Sequence, residues 1–291
     1  MTEIKSNQIK EYSKEGLVEF LVSHKEPKFR ATQIFEWIWK KGVASFDEMT
    51  NIPKQTRETL SKYLVFDNPV IEKLQVSSDS TIKVLFKLVD GKMIEGVVIP
   101  STDRTTACVS SQAGCALRCK FCATGTIGHQ RNLTSGEIYD QVWLLNKLSQ
   151  ERFGMPLSNI VFMGMGEPLM NYKNVNRAIH FITSTDGLGM SSQRITVSTA
   201  GLAQYIRKLA DDNFKCNLAI SLHTADNVKR DNLMLINKAH PLEKLSKAIQ
   251  YFHQKTGTRV TLEYLLLSGV NDSIEDAQKL AQFCKAFPCK I

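Results

Sequence analysis

The 291-residue sequence predicts an α/β protein whose larger part is a parallel sheet, open or curled into a barrel. From Thr105 onward, short apolar strands alternate with helical stretches, and repeated strand–helix units of this kind build parallel sheets. The first 65 residues show helical periodicity instead, and a period of two begins at Pro69. We therefore predict a helical accessory domain at 1–68, a β-hairpin extension at 69–100 and an α/β core at 101–291.

Each element has its own local signal. Apolar residues at helical spacing predict helices within 8–23, 29–42 and 54–64, where Trp37 and Trp39 belong to an apolar stripe. Residues 81–89 and 92–100 alternate around an Asp90-Gly91 turn, which is typical of a hairpin. Core strands are predicted near 105–111, 159–164, 194–200, 216–223 and 259–267. Core helices are predicted near 135–149, 173–185, 202–211, 242–256 and 273–286.

Composition and charge narrow the class of protein. Lys and Arg exceed Asp and Glu by 37 to 29, and nearly all of the surplus follows residue 100. A moderate basic excess is compatible with a polyanionic partner such as RNA, although many enzymes without such a partner share it. The apolar runs are too short to span a membrane, and the amino terminus lacks the apolar segment of a signal peptide. We therefore expect a cytoplasmic protein without a membrane partner, in which seven cysteines do not form a disulfide framework.

Three cysteines in eight residues need a chemical explanation. Cys115, Cys119 and Cys122 stand at C-x3-C-x2-C spacing on the loop after the first core strand. Thiolates prefer soft metals, and a structural zinc site would call for a fourth protein ligand nearby. A 4Fe-4S cluster held by three cysteines would instead keep one iron open. An accidental grouping of unpaired cysteines is the alternative.

Polar and flexible residues follow the next three core strands. The second strand leads into MGMGEP, where Gly164 and Gly166 allow a ligand to approach the backbone and Glu167 offers a carboxylate for an ammonium group. Ser198 ends the third strand, and SLH at 221–223 ends the fourth. Ligands in such folds bind at the carboxyl ends of the strands. Taken one at a time, Ser198, Ser221 and His223 are better explained as small polar side chains that fill strand ends.

The cysteine spacing, with Phe121 just before the third thiol, resembles the signature of the radical S-adenosylmethionine (SAM) superfamily. The ordered segments IEGVVIP, CVSSQAGCALRCKFCATG, RNLTSGEI, FMGMGEPLMN, SLH and INK closely resemble the RlmN adenine-C2 methyltransferases. The sister family that methylates adenine C8 typically has Ala in place of Pro168 and CGC in place of Ala113-Gly114-Cys115, which favours C2. The resemblance implies a partial (β/α)6 radical SAM barrel with a small N-terminal helical domain and a β-hairpin extension.

The resemblance also implies cofactors and partners. The expected cofactors are a 4Fe-4S cluster and S-adenosyl-L-methionine. The expected metal ligands are Cys115, Cys119 and Cys122. The expected SAM-binding residues are Phe121, Gly166, Glu167, Ser198, Ser221, Leu222 and His223. The expected partners are 23S rRNA in its peptidyl-transferase region, tRNA next to the anticodon, and an electron donor such as flavodoxin, with a monomeric state when the protein is complete.

Two catalytic residues are implied by motif position. Glu95 matches the proton acceptor of the family, and its apolar strand neighbours predict a raised carboxyl pKa. Cys108 lies seven positions before Cys115, as does the family's second catalytic cysteine, although a buried strand cysteine is the competing interpretation. Which of the two takes the C2 proton stays open.

The sequence departs from the family at its end, CKAFPCKI. The family continues with a sixth strand, an asparagine that contacts SAM and a methyl-carrying cysteine, a role that Cys216, Cys284 and Cys289 do not match by motif. We therefore expect a core truncated by its last strand, with the edge of the fifth strand uncovered and prone to pairing. Two alternatives to full activity stay open: a chain that binds cluster and SAM without methylating, and a non-catalytic iron–sulfur RNA-binding protein.

Overall fold

The computed structural model describes residues 7–291, so the first six residues of the predicted 1–68 domain lie outside the described part. A 3₁₀ turn at Ile9–Glu11 precedes three helices, which confirm the helical periodicity. These are α1 (Lys14–Ser23), α2 (Arg30–Trp39) and α3 (Lys54–Tyr63). Ser13 caps α1 by accepting a hydrogen bond from the Gly16 amide.

A single nine-stranded sheet runs through the rest of the chain, in the order β1-β2-β3-β4-β7-β8-β9-β10-β11. Its first four strands pair antiparallel, and the strands from β4 onward pair parallel, as expected for a partial barrel with an antiparallel extension. The antiparallel part is β1 (Val70–Val76), β2 (Ile82–Lys87), β3 (Met93–Pro100) and β4 (Thr105–Cys108). The parallel part continues with β7 (Asn159–Phe162), β8 (Ile195–Thr199), β9 (Asn217–Ser221), β10 (Val260–Glu263) and β11 (Cys289–Lys290).

The predicted hairpin has a third strand, β1, that the sequence analysis did not resolve. Its side chains are mostly exposed because it forms one edge of the sheet, so it lacks the apolar alternation that marks β2. Two further short strands, β5 (Gln112–Ala113) and β6 (Arg131–Asn132), pair with each other at the base of the cysteine loop.

The five predicted core helices are confirmed as α5 (Ser135–Phe153), α6 (Tyr172–Thr183), α7 (Ala203–Asp211), α9 (Leu242–Thr256) and α10 (Ile274–Cys284). Two short helices, α4 (Ala123–Ile127) and α8 (Asn227–Leu233), were not predicted. The longest, α5, begins at a capping box between Thr134 and Glu137 and ends at Gly154 in a left-handed conformation. Across residues 7–291, none of the helices combines the length and the apolar character needed to cross a membrane.

The edge of the fifth parallel strand is not wholly uncovered, which corrects the expectation from the sequence. Strand β10 is shorter than predicted, and α10 returns the chain so that β11 pairs with Val260 and Thr261. The reason is local: the chain after Glu263 leaves the sheet, and Asn271 holds the following turn by accepting the Leu267 amide. Two residues of a sixth strand are therefore present.

The N-terminal helices share one core with the sheet. The ring of Trp39 in α2 stacks on Phe181 in α6 at 3.7 Å between centroids, and Tyr139 in α5 donates a hydrogen bond to the Trp39 carbonyl. Trp39 is fully buried. Its apolar stripe therefore packs against the α/β core and not only against the helical module.

A buried ion pair crosses the same junction. The Lys10 ammonium lies 2.5 Å from the Asp140 carboxylate in α5, and both side chains are more than nine-tenths buried. Lys10 also donates to Asn68. Burial raises the pKa of Asp140, and the neighbouring Lys10 opposes that shift. Each charge therefore offsets the cost of burying the other.

We expect Lys10→Met to lower the free energy of unfolding by about 3–5 kcal/mol, because it leaves the Asp140 carboxylate buried without a cation. Urea denaturation followed by circular dichroism measures the change. The matched control is Lys147→Met, which removes an exposed ion pair with Glu151 and should change stability by less than about 0.5 kcal/mol. Equal, small losses in both variants would contradict the prediction.

The pH dependence of stability should reveal a second buried carboxylate. Burial, followed by the charge of Glu137, raises the pKa of Asp67 from 3.8 to about 6, and its buried Oδ2 has no hydrogen-bond partner. The unfolded chain therefore loses this proton at lower pH than the folded chain, so this group makes stability fall as the pH rises from about 4 to 6. Asp67→Asn should gain on the wild type across this window, by up to about 3 kcal/mol.

Urea denaturation of both proteins at pH 4 and pH 7 tests this expectation. Asp79→Asn is the control, because the pKa of Asp79 is lowered by hydrogen bonds from Ser77 and Thr81 and that variant should show no gain. A stability difference for Asp67→Asn that does not change with pH would refute the assignment.

Candidate active site

One cavity of about 250 Å³ lies at the carboxyl ends of β7, β8 and β9. Side chains from the cysteine loop, from the turn after β7 and from the ends of β8 and β9 converge on it. Eight of the residues predicted to bind a cofactor or metal line this cavity: Cys115, Cys119, Phe121, Cys122, Gly166, Glu167, Ser198 and Ser221.

Backbone hydrogen bonds, one within the loop and one to α8, hold the cysteine loop. The Cys115 amide donates to the Gly128 carbonyl at 3.1 Å, and the Lys120 amide donates to the Leu233 carbonyl at 3.0 Å. At Gly114 φ is +75°, and a Cβ there would lie 1.8 Å from the Gly128 oxygen. Only glycine permits this close approach, so the loop folds back on itself and turns its thiols toward the cavity.

The three thiols have the chemistry of soft-metal ligands. Burial, followed by the thiolates of Cys115 and Cys122, raises the pKa of Cys119 to about 12. A bound cation would reverse this penalty. Among residues 7–291, no group of three or more Cys, His, Asp or Glu side chains is arranged to hold a single metal ion. Thiolates of an iron–sulfur cluster bind separate iron atoms, so three thiols around one cavity fit such a cluster.

The backbone of the turn after β7 packs closely against Gln112. At Gly166 φ is +99°, and a Cβ there would lie 2.5 Å from the Gln112 Cβ. Gln112 accepts the Glu167 amide at 2.8 Å and donates to Asn132 at 2.7 Å. The Gly–Glu turn is therefore fixed by a buried glutamine.

Glu167 is buried and already has backbone partners. Its carboxylate accepts the Leu169 amide at 3.0 Å and the Ala200 amide at 2.7 Å. Burial raises its pKa to about 7, and these hydrogen bonds oppose the shift. The carboxylate thus joins the turn after β7 to the end of β8 and retains lone pairs for a further donor on the cavity side.

Leu222 and His223 do not line the cavity. Their amides donate to the Glu263 carbonyl, and the His223 ring accepts the Leu265 amide through Nδ1 at 3.1 Å. Burial lowers the pKa of His223 to about 4, and its ring packs edge-on against Phe121 at 4.6 Å. His223 is therefore a neutral support behind Phe121.

Glu95 and Cys108 do not line the cavity and lie on the neighbouring strands β3 and β4. The Glu95 side chain is 42% exposed and forms an ion pair with Lys83 at 2.6 Å, so the expectation that it is surrounded by apolar residues is wrong. Alternation along β3 places Glu95 on the same face as its diagonal neighbour Lys83. Burial raises the pKa of the Cys108 thiol to about 11, opposed by a hydrogen bond from the backbone of Met163, which lines the cavity.

Several residues of the site were not predicted from the sequence. Gln112 and Arg230 are fully buried polar side chains that hold its backbone, and Thr199, Ala200, Met234 and Glu263 line the cavity. Gln112 lies among the small and polar residues of segment 110–114, where nothing in the local sequence indicates burial. Arg230 lies on a polar helical stretch, where nothing in the local sequence indicates burial.

Comparisons with known proteins agree with this geometry. Residues 8–65 match the family described as "Ribosomal RNA large subunit methyltransferase N-terminal domain", and residues 109–283 match the "Radical SAM superfamily". A protein from Christiangramia forsetii named "Probable dual-specificity RNA methyltransferase RlmN" is 50% identical, with 99% of this chain and 82% of that protein aligned. A protein of the same name from Streptococcus agalactiae is 45% identical, over 94% of this chain and 74% of its own length.

A solved structure is also similar. A radical SAM methyltransferase from Sphaerobacter thermophilus superposes with a TM-score of 0.91 at 40% sequence identity. The alignment covers 97% of this chain and 83% of that one.

The turn at Gly166 has no room for a side chain. Gly166→Ala should lower the free energy of unfolding by roughly 3 kcal/mol or more, because it combines positive-φ strain with overpacking against Gln112. The matched control is Gly154→Ala, which also has a positive φ but open space around its Cβ position and should cost only about 1–2 kcal/mol. Urea denaturation compares the two, and equal losses would show that contact with Gln112 is unimportant.

Proposed function

The chain belongs to the RlmN family of radical SAM RNA methyltransferases, and on this premise we propose the function of methylating C2 of adenine in 23S rRNA and in tRNA through a methylated cysteine, a role that Cys216, Cys284 and Cys289 do not match by motif. The observation that carries the proposal is the single cavity that joins the three thiols to the Gly–Glu turn at the strand ends. In 23S rRNA the proposed target lies in the peptidyl-transferase region, and in tRNA it lies next to the anticodon.

The cavity provides for two cofactors. We assign Cys115, Cys119 and Cys122 to a 4Fe-4S cluster. The remaining wall, with Gly166, Glu167, Ser198 and Ser221, is assigned to SAM, and Phe121, Leu222 and His223 support it. When bound, the cluster supplies an electron that starts radical cleavage of SAM.

A radical route suits this target. C2 of adenine is an electron-poor amidine carbon and is a poor nucleophile, so direct transfer of a methyl cation from a sulfonium is unfavourable. The thiols around the cavity are half-buried and Glu167 is buried, so the site is partly shielded from water. Such a site protects reactive species from side reactions.

Glu95 and Cys108 are assigned to the steps at the base itself. The Glu95 carboxylate is half-exposed, so a base outside the cavity can reach it, and Lys83 lies 2.6 Å from it. The Cys108 thiol is the proposed second catalytic cysteine, and its high pKa keeps it protonated at neutral pH. The two residues lie on paired strands, where Cys108 is opposite Val97.

RNA binding is expected to depend on phosphate contacts. The surplus of 37 basic over 29 acidic residues supports a polyanionic substrate, and affinity should fall steeply with salt. The target base must also leave its stack to reach the site. We propose flavodoxin or a similar protein as the electron donor, in a cytoplasmic, monomeric enzyme.

The cluster assignment predicts the effect of a cysteine substitution. Cys119→Ala, prepared anaerobically, should lose its cluster iron and reduce the formation of 5′-deoxyadenosine from SAM to background, because one iron loses its thiolate. Cys216→Ala is the matched control, since Cys216 is buried in the core, away from the cavity, and that variant should keep both properties. Iron analysis and chromatography of the products supply the measurements.

The substrate assignment is tested separately. Reconstituted protein, reductant and SAM are incubated with 23S rRNA or tRNA, and digested nucleosides are analysed for 2-methyladenosine by mass spectrometry. SAM cleavage without 2-methyladenosine would reject the methylation while keeping the radical chemistry. An intact cluster without reductant-dependent 5′-deoxyadenosine would reject both and favour a structural cluster in an RNA-binding protein.

A further inference from the structure

Arg230 in α8 is a fully buried guanidinium without a carboxylate partner. Its solvent exposure is 0%, and no acidic side chain of residues 7–291 lies within ion-pair distance of it. It donates four hydrogen bonds, and every acceptor is neutral. The acceptors are the carbonyls of Ala200 (2.7 Å), Ser221 (3.1 Å) and Leu222 (3.2 Å), and the side-chain oxygen of Asn237 (2.9 Å).

These hydrogen bonds satisfy the donors but do not neutralise the charge. Removing a cation from water without an anion is unfavourable, and burial accordingly lowers the pKa of Arg230 to about 10. The carboxylate of Asp231 raises the Arg230 pKa but forms no ion pair with it. Asn237 lies between them and donates its amide to Asp231 at 2.7 Å. A neutral hydrogen-bonding side chain would avoid this penalty, so the charge itself needs an explanation.

The position of Arg230 supplies one. The thiolate of Cys119 opposes the lowering of the Arg230 pKa that burial causes. The end of the same helix contacts the cysteine loop, because the Lys120 amide donates to the Leu233 carbonyl at 3.0 Å. Two of the residues whose carbonyls Arg230 holds, Ala200 and Ser221, line the same cavity as the thiols. In a buried site charges are weakly screened, so the guanidinium acts strongly on negative charge in the cavity.

We infer that Arg230 is a positioning residue that supplies the fixed positive charge against which the thiolate-ligated cluster is held and reduced. This inference rests on the proposed function, because it requires a cluster on Cys115, Cys119 and Cys122. Three thiolates make the centre anionic, and the electron from an external one-electron donor adds further negative charge. A nearby buried cation stabilises the reduced form more than the oxidised form.

The competing role is purely structural, in which Arg230 only joins the ends of β8 and β9 by their carbonyls. The two roles differ in what a conservative variant restores. The R230K variant keeps the charge and loses most of the hydrogen bonds, so it should retain the wild-type potential under the electrostatic role. The R230Q variant keeps some hydrogen bonds and loses the charge, so its potential should move to more negative values.

The experiment is a potentiometric titration of the reconstituted proteins with dithionite, followed by electron paramagnetic resonance. We expect a more negative midpoint for R230Q than for wild type, with R230K close to wild type and all three proteins retaining full iron. R177Q is the matched control, because Arg177 also donates to three carbonyls, those of Lys10, Glu11 and Tyr12, far from the cysteine loop. Its midpoint should equal that of wild type.

An unchanged midpoint in iron-replete R230Q, or equal shifts in R230Q and R230K, would overturn the inference. Should R230Q fail to fold, D231N decides: removing the one acid that offsets Arg230 should shift the midpoint to more positive values, and an unchanged or more negative midpoint would overturn it. Failure of the wild type to bind a cluster would overturn the proposed function as well. A wild-type cluster with unshifted variants would overturn the role of Arg230 alone.

Discussion

The geometry of the site depends on one residue, Ala200, at the end of β8. Its amide donates to Glu167 at 2.7 Å, and its carbonyl accepts from Arg230 at 2.7 Å. Backbone groups at the end of a parallel strand have no further strand to pair with and must find other partners when buried. Here the buried side chains of Glu167 and Arg230 supply them. They thereby connect the turn after β7, the end of β8 and the helix that contacts the cysteine loop.

Other buried polar side chains hold the backbone around the cavity in the same way. Gln112 holds the Gly–Glu turn from one side, and Asn271 holds the chain after β10 by donating to the His223 and Leu265 carbonyls. Each is a polar side chain that replaces a strand partner. Because few charges surround the cavity, those that are buried there act with little screening. Structural support and electrostatic control of the site therefore reside in the same residues.

The N-terminal helices and the antiparallel strands complete a single body with the barrel. Trp39 stacks on Phe181, Lys10 pairs with Asp140, and the sheet continues from β1 to β11 without a break in the described residues. The point where pairing changes from antiparallel to parallel is β4, which carries Cys108. Glu95 lies on the strand before it. The proposed catalytic pair is thus built at the seam of the two sheet regions, next to the cofactor cavity.

Local sequence determined the elements and the chemistry of the ligands: periodicity located helices and strands within a few residues, and the C-x3-C-x2-C spacing placed three thiols on one loop. Which side chains face the cavity was decided by tertiary structure. His223 takes a left-handed conformation, with φ of +57°, and turns behind Phe121. Glu95 meets Lys83 only because β2 and β3 pair in one register, and Arg230 is buried where it donates to the carbonyls of Ala200 and Ser221 at the ends of β8 and β9. The physical reason is that periodicity depends on neighbours along the chain, whereas burial and charge pairing depend on residues far apart in sequence.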